Sequence, residues 1–517
     1  MKGTRNTAKQ KADFLALRDG VYLVKGPVGA VLYDLRHRKI WIAPPLLVGV
    51  LERCGEGETL DRALPQAMGK SLNPQALRMI RRFLRRHPAV KLAGTARPLP
   101  PEMPVRRTVR PTWLMVEILT ACDLRCSHCY TPAFHAPDGR VSRTLPTSRW
   151  IELLEEAREF GFQSVQITGG EPTLHPDIAQ LLRAAHRLGY LPVAFFTNLF
   201  RLSDDLLAVL CEIGAQVHTS LYSHDAKIHD SITRQVGSFD ATLEGIRRVQ
   251  AAKLEILVAV VRMEANDATY DQTRAFLKDL GVAMDHQKSG PVWPEGRGVS
   301  HAKPDPSWPW PRRFFTWMQH VTKGQLVTNS CWAGRSAIAP NGDVYACVGE
   351  RKALGNVASA SLRSVVESEA MQKLWRINLD DVPGCSQCEF RYACFDCRAG
   401  AHLLSGDILG RDPTCAYDPA TGIWNYEVSA MDNKKPKRKE GLVIEEVDSD
   451  LIVADFSGLQ MHVLNPVAAA IWEMCDGQQT AEDMASLLAG HFGLSVEEVR
   501  RDVDRTLSEF AAKGMIE

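Results

Sequence analysis

Apolar and polar positions alternate over residues 31–42 (VLYDLRHRKIWI), a period of two that predicts a β-hairpin. Helical periodicity follows to about Arg86, and the Pro- and Arg-rich stretch 94–111 reads as a linker. From Trp113 onward, short apolar runs alternate with amphipathic segments. Strands are predicted at 113–119, 164–168, 193–197, 216–221, 255–262 and 282–286. Between the first two, Trp150, Leu153, Leu154, Ala157 and Phe160 fall on one helical face behind Thr147 or Ser148 as N-cap. Repeated βα units imply a parallel sheet, open or closed into a barrel. A Pro- and Trp-rich run after Lys288 breaks the pattern and marks the barrel's end.

Residues 331–415 are rich in Cys and Gly and poor in long periodic segments, which predicts a region held by metal rather than by an apolar core. NKKPKRKE (433–440) reads as a charged hinge. Residues 442–517 then read as hairpin, helix, helix, helix. This last unit repeats the first without gaps over its best part. Pro45 matches Pro466, Cys54 matches Cys475, Thr59 matches Thr480 and, upstream, Asp34 matches Asp455. Cys54 and Cys475 each stand alone and read as buried helix-end residues.

Length and composition narrow the chemistry. A chain of 517 residues implies several domains, and 45% hydrophobic with 24% charged residues is ordinary for a globular protein. A net charge of +1 supplies no global field for nucleic acid or membrane. The first twenty residues are charged throughout and lack a signal-peptide core, and no apolar run approaches the ~20 residues that span a bilayer. The expected location is the cytoplasm, where thiols stay reduced and 13 cysteines point to metal rather than disulfides.

Cys122, Cys126 and Cys129 have CxxxCxxC spacing just after the first barrel strand, at the end where barrel active sites lie. Three thiolates in so tight a loop can take three corners of a [4Fe–4S] cube and leave the fourth iron open. The alternative is a zinc site with a distant fourth ligand. ITGGEP (167–172) ends the second strand; its glycines allow close backbone approach, and Glu171 can accept from an ammonium group.

With these two motifs in register, residues 109–288 resemble the radical S-adenosylmethionine (SAM) superfamily. The resemblance implies that the open iron chelates SAM and that the reduced cluster splits it to a 5′-deoxyadenosyl radical, which abstracts an unactivated hydrogen. It makes Cys122, Cys126 and Cys129 the catalytic cluster ligands. Gly169, Gly170 and Glu171 would hold the methionine amine, and His128, with Tyr130 close by, would lie against adenine. Asn198, Ser220 and Arg234 are further SAM contacts by position, Ser220 and Arg234 toward ribose and carboxylate. A cap or a surface pair is the alternative role for such loop-end groups.

Seven more cysteines follow: Cys331, Cys347, Cys385, Cys388, Cys394, Cys397 and Cys415. The field is similar to the SPASM domain of peptide-modifying radical SAM enzymes, which carries two auxiliary Fe–S clusters, of the [4Fe–4S] kind. The family usually has three residues where Phe395 and Asp396 give two; paired zinc ribbons are the structural alternative. By resemblance, Cys385, Cys388, Cys394 and Cys415 hold the outer cluster, and Cys331, Cys347 and Cys397 the inner. Seven thiols leave one of eight positions, at the inner cluster, either open or to a non-cysteine ligand, and a substrate thiolate could ligate that iron. Residues 442–517 resemble the PqqD-like peptide-recognition fold, which binds a leader peptide by strand addition.

The implied fold is α/β: a partial (β/α)6 TIM-type barrel at 112–290 and a Cys-rich Fe–S SPASM domain at 329–428, flanked by small winged-helix-like α+β domains at 1–93 and 441–517. Residues 94–111 and 291–328 are linkers, and 429–440 a basic hinge. The N-terminal unit is a candidate diverged peptide-recognition copy. The implied function is a radical SAM/SPASM maturase of a ribosomally made peptide (RiPP) that closes a thioether or carbon–carbon crosslink. It would bind no nucleic acid or membrane and draw electrons from a flavodoxin or ferredoxin. Alternatives are a radical SAM oxidase of a small-molecule cofactor precursor or of a protein (sulfatase-maturase type), and a non-catalytic peptide-binding Fe–S scaffold.

Overall fold

The structure is a computed structural model that describes residues 13–100, 109–136, 144–284, 292–293, 295–300, 331–394, 396–413, 415, 417–424, 435–448, 450–457 and 460–516. The N-terminal module is an antiparallel meander, β1 (Val21–Lys25), β2 (Ala30–Asp34) and β3 (Lys39–Ile42), followed by α1 (Pro45–Gly55), α2 (Leu60–Met68) and α3 (Pro74–Arg86). The predicted 31–42 hairpin is β2–β3, with Val31 opposite Ile42 and Asp34 opposite Lys39. Its turn forms because the Asp34 carboxylate accepts from the backbone N–H groups of Arg36 and His37 at 2.9 and 3.0 Å.

The central sheet begins with six parallel strands: β4 (Trp113–Glu117), β5 (Ser164–Thr168), β6 (Val193–Phe196), β7 (Gln216–Ser220), β8 (Ile256–Ala259) and β9 (Ala283–Met284). Between them run α4 (Thr147–Phe160), α5 (Ile178–Arg187), α6 (Asp204–Ile213), α7 (Ala226–Thr233), α8 (Ser238–Ala251) and α9 (Tyr270–Asp279). Strand residues alternate in direction. Leu114, Val116, Val165, Ile167, Phe195, Val217 and Val258 join the helices in one apolar core. The residues between them, among them Glu117, Gln166, Thr168, Phe196, His218 and Ser220, face the barrel interior.

The sheet does not stop at the sixth strand. β10 (Arg335–Ile338) pairs in parallel with β4, and β11 (Asp343–Tyr345) and β12 (Gly355–Asn356) continue it antiparallel. The nine strands run β9-β8-β7-β6-β5-β4-β10-β11-β12. Next come α10 (Leu362–Val366), α11 (Glu369–Arg376) and α12 (Arg398–Ser405). Trp332, Leu362, Val366, Met371 and Trp375 are buried in the same core as the barrel. The first half of the cysteine-rich region is therefore held by apolar packing, contrary to the expectation that metal alone would organise it. Its short elements hide this from periodicity, because a strand of four residues and a helix of five each show too little pattern.

The C-terminal module repeats the N-terminal order: β13 (Val443–Val447), β14 (Asp450–Asp455), β15 (Gln460–Leu464), then α13 (Pro466–Met474), α14 (Ala481–Phe492) and α15 (Val496–Ala512). The matched residues take matched places. Pro45 and Pro466 each open a helix, Thr59 and Thr480 are N-caps, and Cys54 and Cys475 are fully buried. The basic run is not a free hinge over its described part. Arg438 bridges the backbone at Ile516 and lies over the Trp472 ring, and Lys439 Nζ donates to Asp455 at 2.7 Å.

The two modules pack on each other. Val447, Ile452, Ala454 and Met461 join the N-terminal core, Lys70 pairs with Asp450 at 2.8 Å, and Asn73 donates to the Glu446 carbonyl at 3.2 Å. Truncating Ile452, which has no exposure, to Ala should cost about 2–4 kcal/mol, read as an earlier chemical-denaturation transition.

Candidate functional site

The polypeptide leaves β4 and enters the cysteine loop. Ala121–Cys122 pairs in parallel with Phe134–His135, so the loop's two ends are clamped side by side. Backbone bonds fix the turn between them: Arg125 N–H donates to Thr233 O at 3.0 Å and Ser127 N–H to Ile232 O at 2.9 Å. Arg297 adds three more, from its N–H to Cys129 O (2.9 Å), from Nε to Cys126 O and from Nη1 to Ala133 O (both 2.8 Å). Burial pushes the Cys126 thiol up to about 12, with Cys129 adding to it, and pushes Cys122 up with Glu171 adding. Thiols so placed ionise only when a cation neutralises them, which is what bound iron supplies.

The glycine motif is pressed onto this loop. Gly170 N–H donates to Leu119 O at 2.7 Å and Glu171 N–H to Ala121 O at 2.8 Å. A Cβ on Gly170 would overlap the Ala121 carbonyl, and one on Gly169 (φ +146) would lie 2.5 Å from Leu119 O. Both glycines are thus required by chain packing alone, before any ligand arrives. The Glu171 carboxylate is buried and accepts from Thr173 N–H (3.0 Å), Thr197 Oγ1 (2.8 Å) and Asn198 N–H (2.7 Å). Asn198 Nδ2 donates to Asp123 Oδ1 at 2.7 Å, and Arg201 Nε lies 3.4 Å from Asp123 Oδ2. Burial raises Glu171 above the usual carboxylate range, and the Asp123 carboxylate raises it further. Two buried carboxylates beside a thiol loop fit a ligand carrying an ammonium group.

The other expected contacts divide. The His128 ring is buried edge-on against Tyr222 at 4.6 Å. Tyr222, missed in the sequence, has its phenol between the side chains of Ser220 and Cys126; an aromatic two positions past Ser220 was the available signal. Tyr130 faces the interior, bonded to the Thr168 side chain and edge-on to Trp293 at 5.5 Å. Arg234 is exposed in the left-handed cap of α7 (φ 56), and the structure does not bring it to the loop; the residues just before it do the pinning.

A second polar group, also missed, lies between the cysteine loop and the second cysteine field. Arg351 grips Glu117 with two bonds of 2.5 and 2.8 Å and has Glu295 at 3.5 Å. Burial raises Glu295 to about 7 despite Arg351. A polar residue closing the apolar strand WLMVE was the only sequence hint.

The seven later thiols fall into two electrostatic groups. Cys331, Cys347 and Cys397 act on one another, as do Cys385, Cys388, Cys394 and Cys415. N–H groups point at the first set: Arg398 N–H to Cys331 Sγ (3.3 Å), Trp332 Nε1 to Cys347 Sγ (3.3 Å) and Gly400 N–H to Cys397 Sγ (3.4 Å). Such donors favour thiolate and fit metal-bound sulfur. Buried Asp396 is paired with Arg398 through both oxygens; Phe395 lies outside the described residues. Among the described residues, no three His, Cys, Asp or Glu side chains converge where one ion would sit. No helix there is long and apolar enough to cross a membrane.

Comparison with known proteins accords with this arrangement. The radical SAM superfamily matches residues 116–277, the iron–sulfur cluster-binding SPASM domain residues 331–389, and coenzyme PQQ synthesis protein D (PqqD) residues 450–516. The AdoMet-dependent heme synthase of Methanosarcina barkeri is 24% identical over 354 residues, covering 61% of this chain and 99% of the relative. Mycofactocin maturase MftC of Mycobacterium tuberculosis is 27% identical over 337 residues, covering 59% and 83%. Among solved structures, Streptococcus suis SuiB bound to precursor peptide SuiA aligns at 15% identity and TM-score 0.46, over 75% of this chain and 96% of that one. Native anSMEcpe with bound AdoMet aligns at 16% and 0.47, over 59% and 94%.

The chain is a radical SAM enzyme, working with SAM and a [4Fe–4S] cluster. More particularly, it belongs to those that carry a SPASM domain with auxiliary Fe–S clusters, here joined to a PqqD unit.

Two outcomes test the geometry. Gly170→Ala should lower 5′-deoxyadenosine formation at least about 100-fold, because the loop that carries Cys122 must move. Glu295 is raised by burial, so its contribution is full below the ordinary carboxyl pKa and is lost as pH rises through about 7. Glu295→Gln should therefore match the parent in stability at pH 5 and exceed it by about 1–2 kcal/mol at pH 8, measured by denaturant titration at both pH values.

Proposed function

We propose that this enzyme is a peptide maturase: it captures a ribosomally made precursor through its leader and uses a 5′-deoxyadenosyl radical to remove a Cα or Cβ hydrogen, which leaves as 5′-deoxyadenosine. A second hydrogen would leave as a proton, and an auxiliary Fe–S cluster would take the remaining electron as a thioether or carbon–carbon crosslink closes. The observation that carries this reading is the joining, in one chain, of the Cys122–Cys126–Cys129 loop, the SPASM field and a PqqD unit. The name of the related mycofactocin maturase agrees with it.

In this reading Cys122, Cys126 and Cys129 hold the cluster that binds SAM. Gly169, Gly170 and Glu171 form the floor of the cofactor site, with His128, Tyr130, Asn198 and Ser220 around it; Arg234 enters only if its cap rearranges. Cys331, Cys347 and Cys397 hold the inner auxiliary cluster, and Cys385, Cys388, Cys394 and Cys415 the outer. Asp396 is engaged by Arg398 and is not free to fill the fourth position of the inner set. The leader adds to β15, an edge of the C-terminal sheet with Val463 39% exposed; the opposite edge strand β13 also exposes Val443 and Ile444 but has its Glu446 carbonyl taken by Asn73. A flavodoxin or ferredoxin in the cytoplasm supplies electrons. The relation to a heme synthase favours a second reading, oxidation of a small cofactor precursor in the same barrel.

Co-expression with a precursor encoded beside the gene decides between them. The maturase reading predicts a peptide lighter by about 2 Da per crosslink in mass spectrometry, and an unchanged mass contradicts it. Val463→Asp should weaken leader binding about tenfold in fluorescence anisotropy and leave peptide-free SAM cleavage unaltered.

A further inference from the structure

Each of the two repeated modules packs residues from both faces of its sheet, and the partners differ. In the C-terminal sheet, Leu451, Val453 and Leu464 pack on the module's own helices while Ile452, Ala454 and Met461 pack on the N-terminal module. In the N-terminal sheet, Val21 and Leu32 pack on its helices. Its other face, Val24, Val31, Tyr33 and Ile40, packs on Phe390, Tyr392, Ala393 and Tyr417 of the cysteine-rich region. Cys388 and Cys394 are half-buried against that same cluster.

Polar contacts fix the fit. The Tyr33 phenol, fully buried, donates to the Glu389 carbonyl oxygen at 2.8 Å, and its ring meets Tyr392 edge-on at 5.9 Å. Glu389 directly follows Cys388. Its carboxylate is buried, bonded by the Tyr417 hydroxyl and cupped by the β1–β2 turn. A Cβ on Gly26 or on Gly29 would overlap a carboxylate oxygen. The turn is moulded to the residue beside a cysteine that the reading above makes an outer-cluster ligand.

We propose that the N-terminal module is one wall of the outer auxiliary cluster's site: its sheet fixes the 388–394 loop and shields Cys388 and Cys394 from water. This rests on the proposed assignment of Cys385, Cys388, Cys394 and Cys415 to an Fe–S cluster. In this reading the module that repeats the PqqD-matching unit uses one sheet face in a metal site, and it also seats that unit. An apolar shell around an Fe–S site limits solvent access and cluster loss.

The test uses the full chain, reconstituted anaerobically, with iron content and iron release to a ferrous chelator as readouts. Three [4Fe–4S] clusters put about one third of the iron in each. Gly29→Ala should retain about two thirds of the parent's iron. The milder Tyr33→Phe should bind the full amount and release about one third of it several-fold faster. Cys388→Ala should lose the same third, and Gly29→Ala added to it should lose no more. Formation of 5′-deoxyadenosine without peptide should stay within about twofold in Gly29→Ala and Tyr33→Phe. Parent-like iron content and release in Gly29→Ala and Tyr33→Phe, with the loss seen in Cys388→Ala, would overturn the wall and leave the ligand assignment standing. Full iron in Cys388→Ala would overturn the assignment and the wall with it.

Discussion

The site depends on two backbone hydrogen bonds, from Gly170 N–H to Leu119 O and from Glu171 N–H to Ala121 O. They weld the end of the second barrel strand to the chain that carries Cys122. Neither forms unless both residues before Glu171 lack a side chain, because a Cβ at either would run into the neighbouring backbone. The weld brings the Glu171 carboxylate beside Asp123, and Thr173, Thr197 and Asn198 then hold that carboxylate still. The place of the Glu171 carboxylate is therefore fixed by the chain's own hydrogen bonds, with no ligand needed to assemble it.

From that weld the rest is layered outward. The cysteine loop is pinned on one side by the end of α7 and on the other by Arg297, far along the chain. β10 extends the barrel sheet into the second cysteine field, so the two metal regions share one core rather than meeting across a linker. The later cysteines split into two electrostatic groups with the Asp396–Arg398 pair close to both. Beyond them lie the N-terminal module and then the C-terminal one, each sheet contributing packed residues from both faces.

Much of this was legible in the sequence. The strand at 164–168 is found at its expected bounds, and those at 193 and 216 end one residue early. The strand expected at 255–262 is shorter, since Val260 is buried outside the ladder and burial alone reads as strand. The glycine motif was visible, but its reason was not: periodicity cannot show that a carbonyl from another strand fills the space of a missing Cβ. The Glu117–Arg351 pair and Tyr222 were also hidden, as each gains meaning only from a partner distant in sequence or from the way a loop folds back. The terminal repeat could be read from spacing because proline, N-cap and buried cysteine keep their places, whereas the surfaces that distinguish the copies lie on alternating strand positions that look alike.

The central claim is that three thiols leave one iron free for SAM. Electron paramagnetic resonance of the dithionite-reduced protein, in a variant with Cys331, Cys347, Cys385 and Cys388 replaced by Ala, isolates the first cluster. The account predicts a [4Fe–4S]+ signal whose g-values move when SAM is added. A signal indifferent to SAM, or a protein that takes up zinc and no iron, would contradict it.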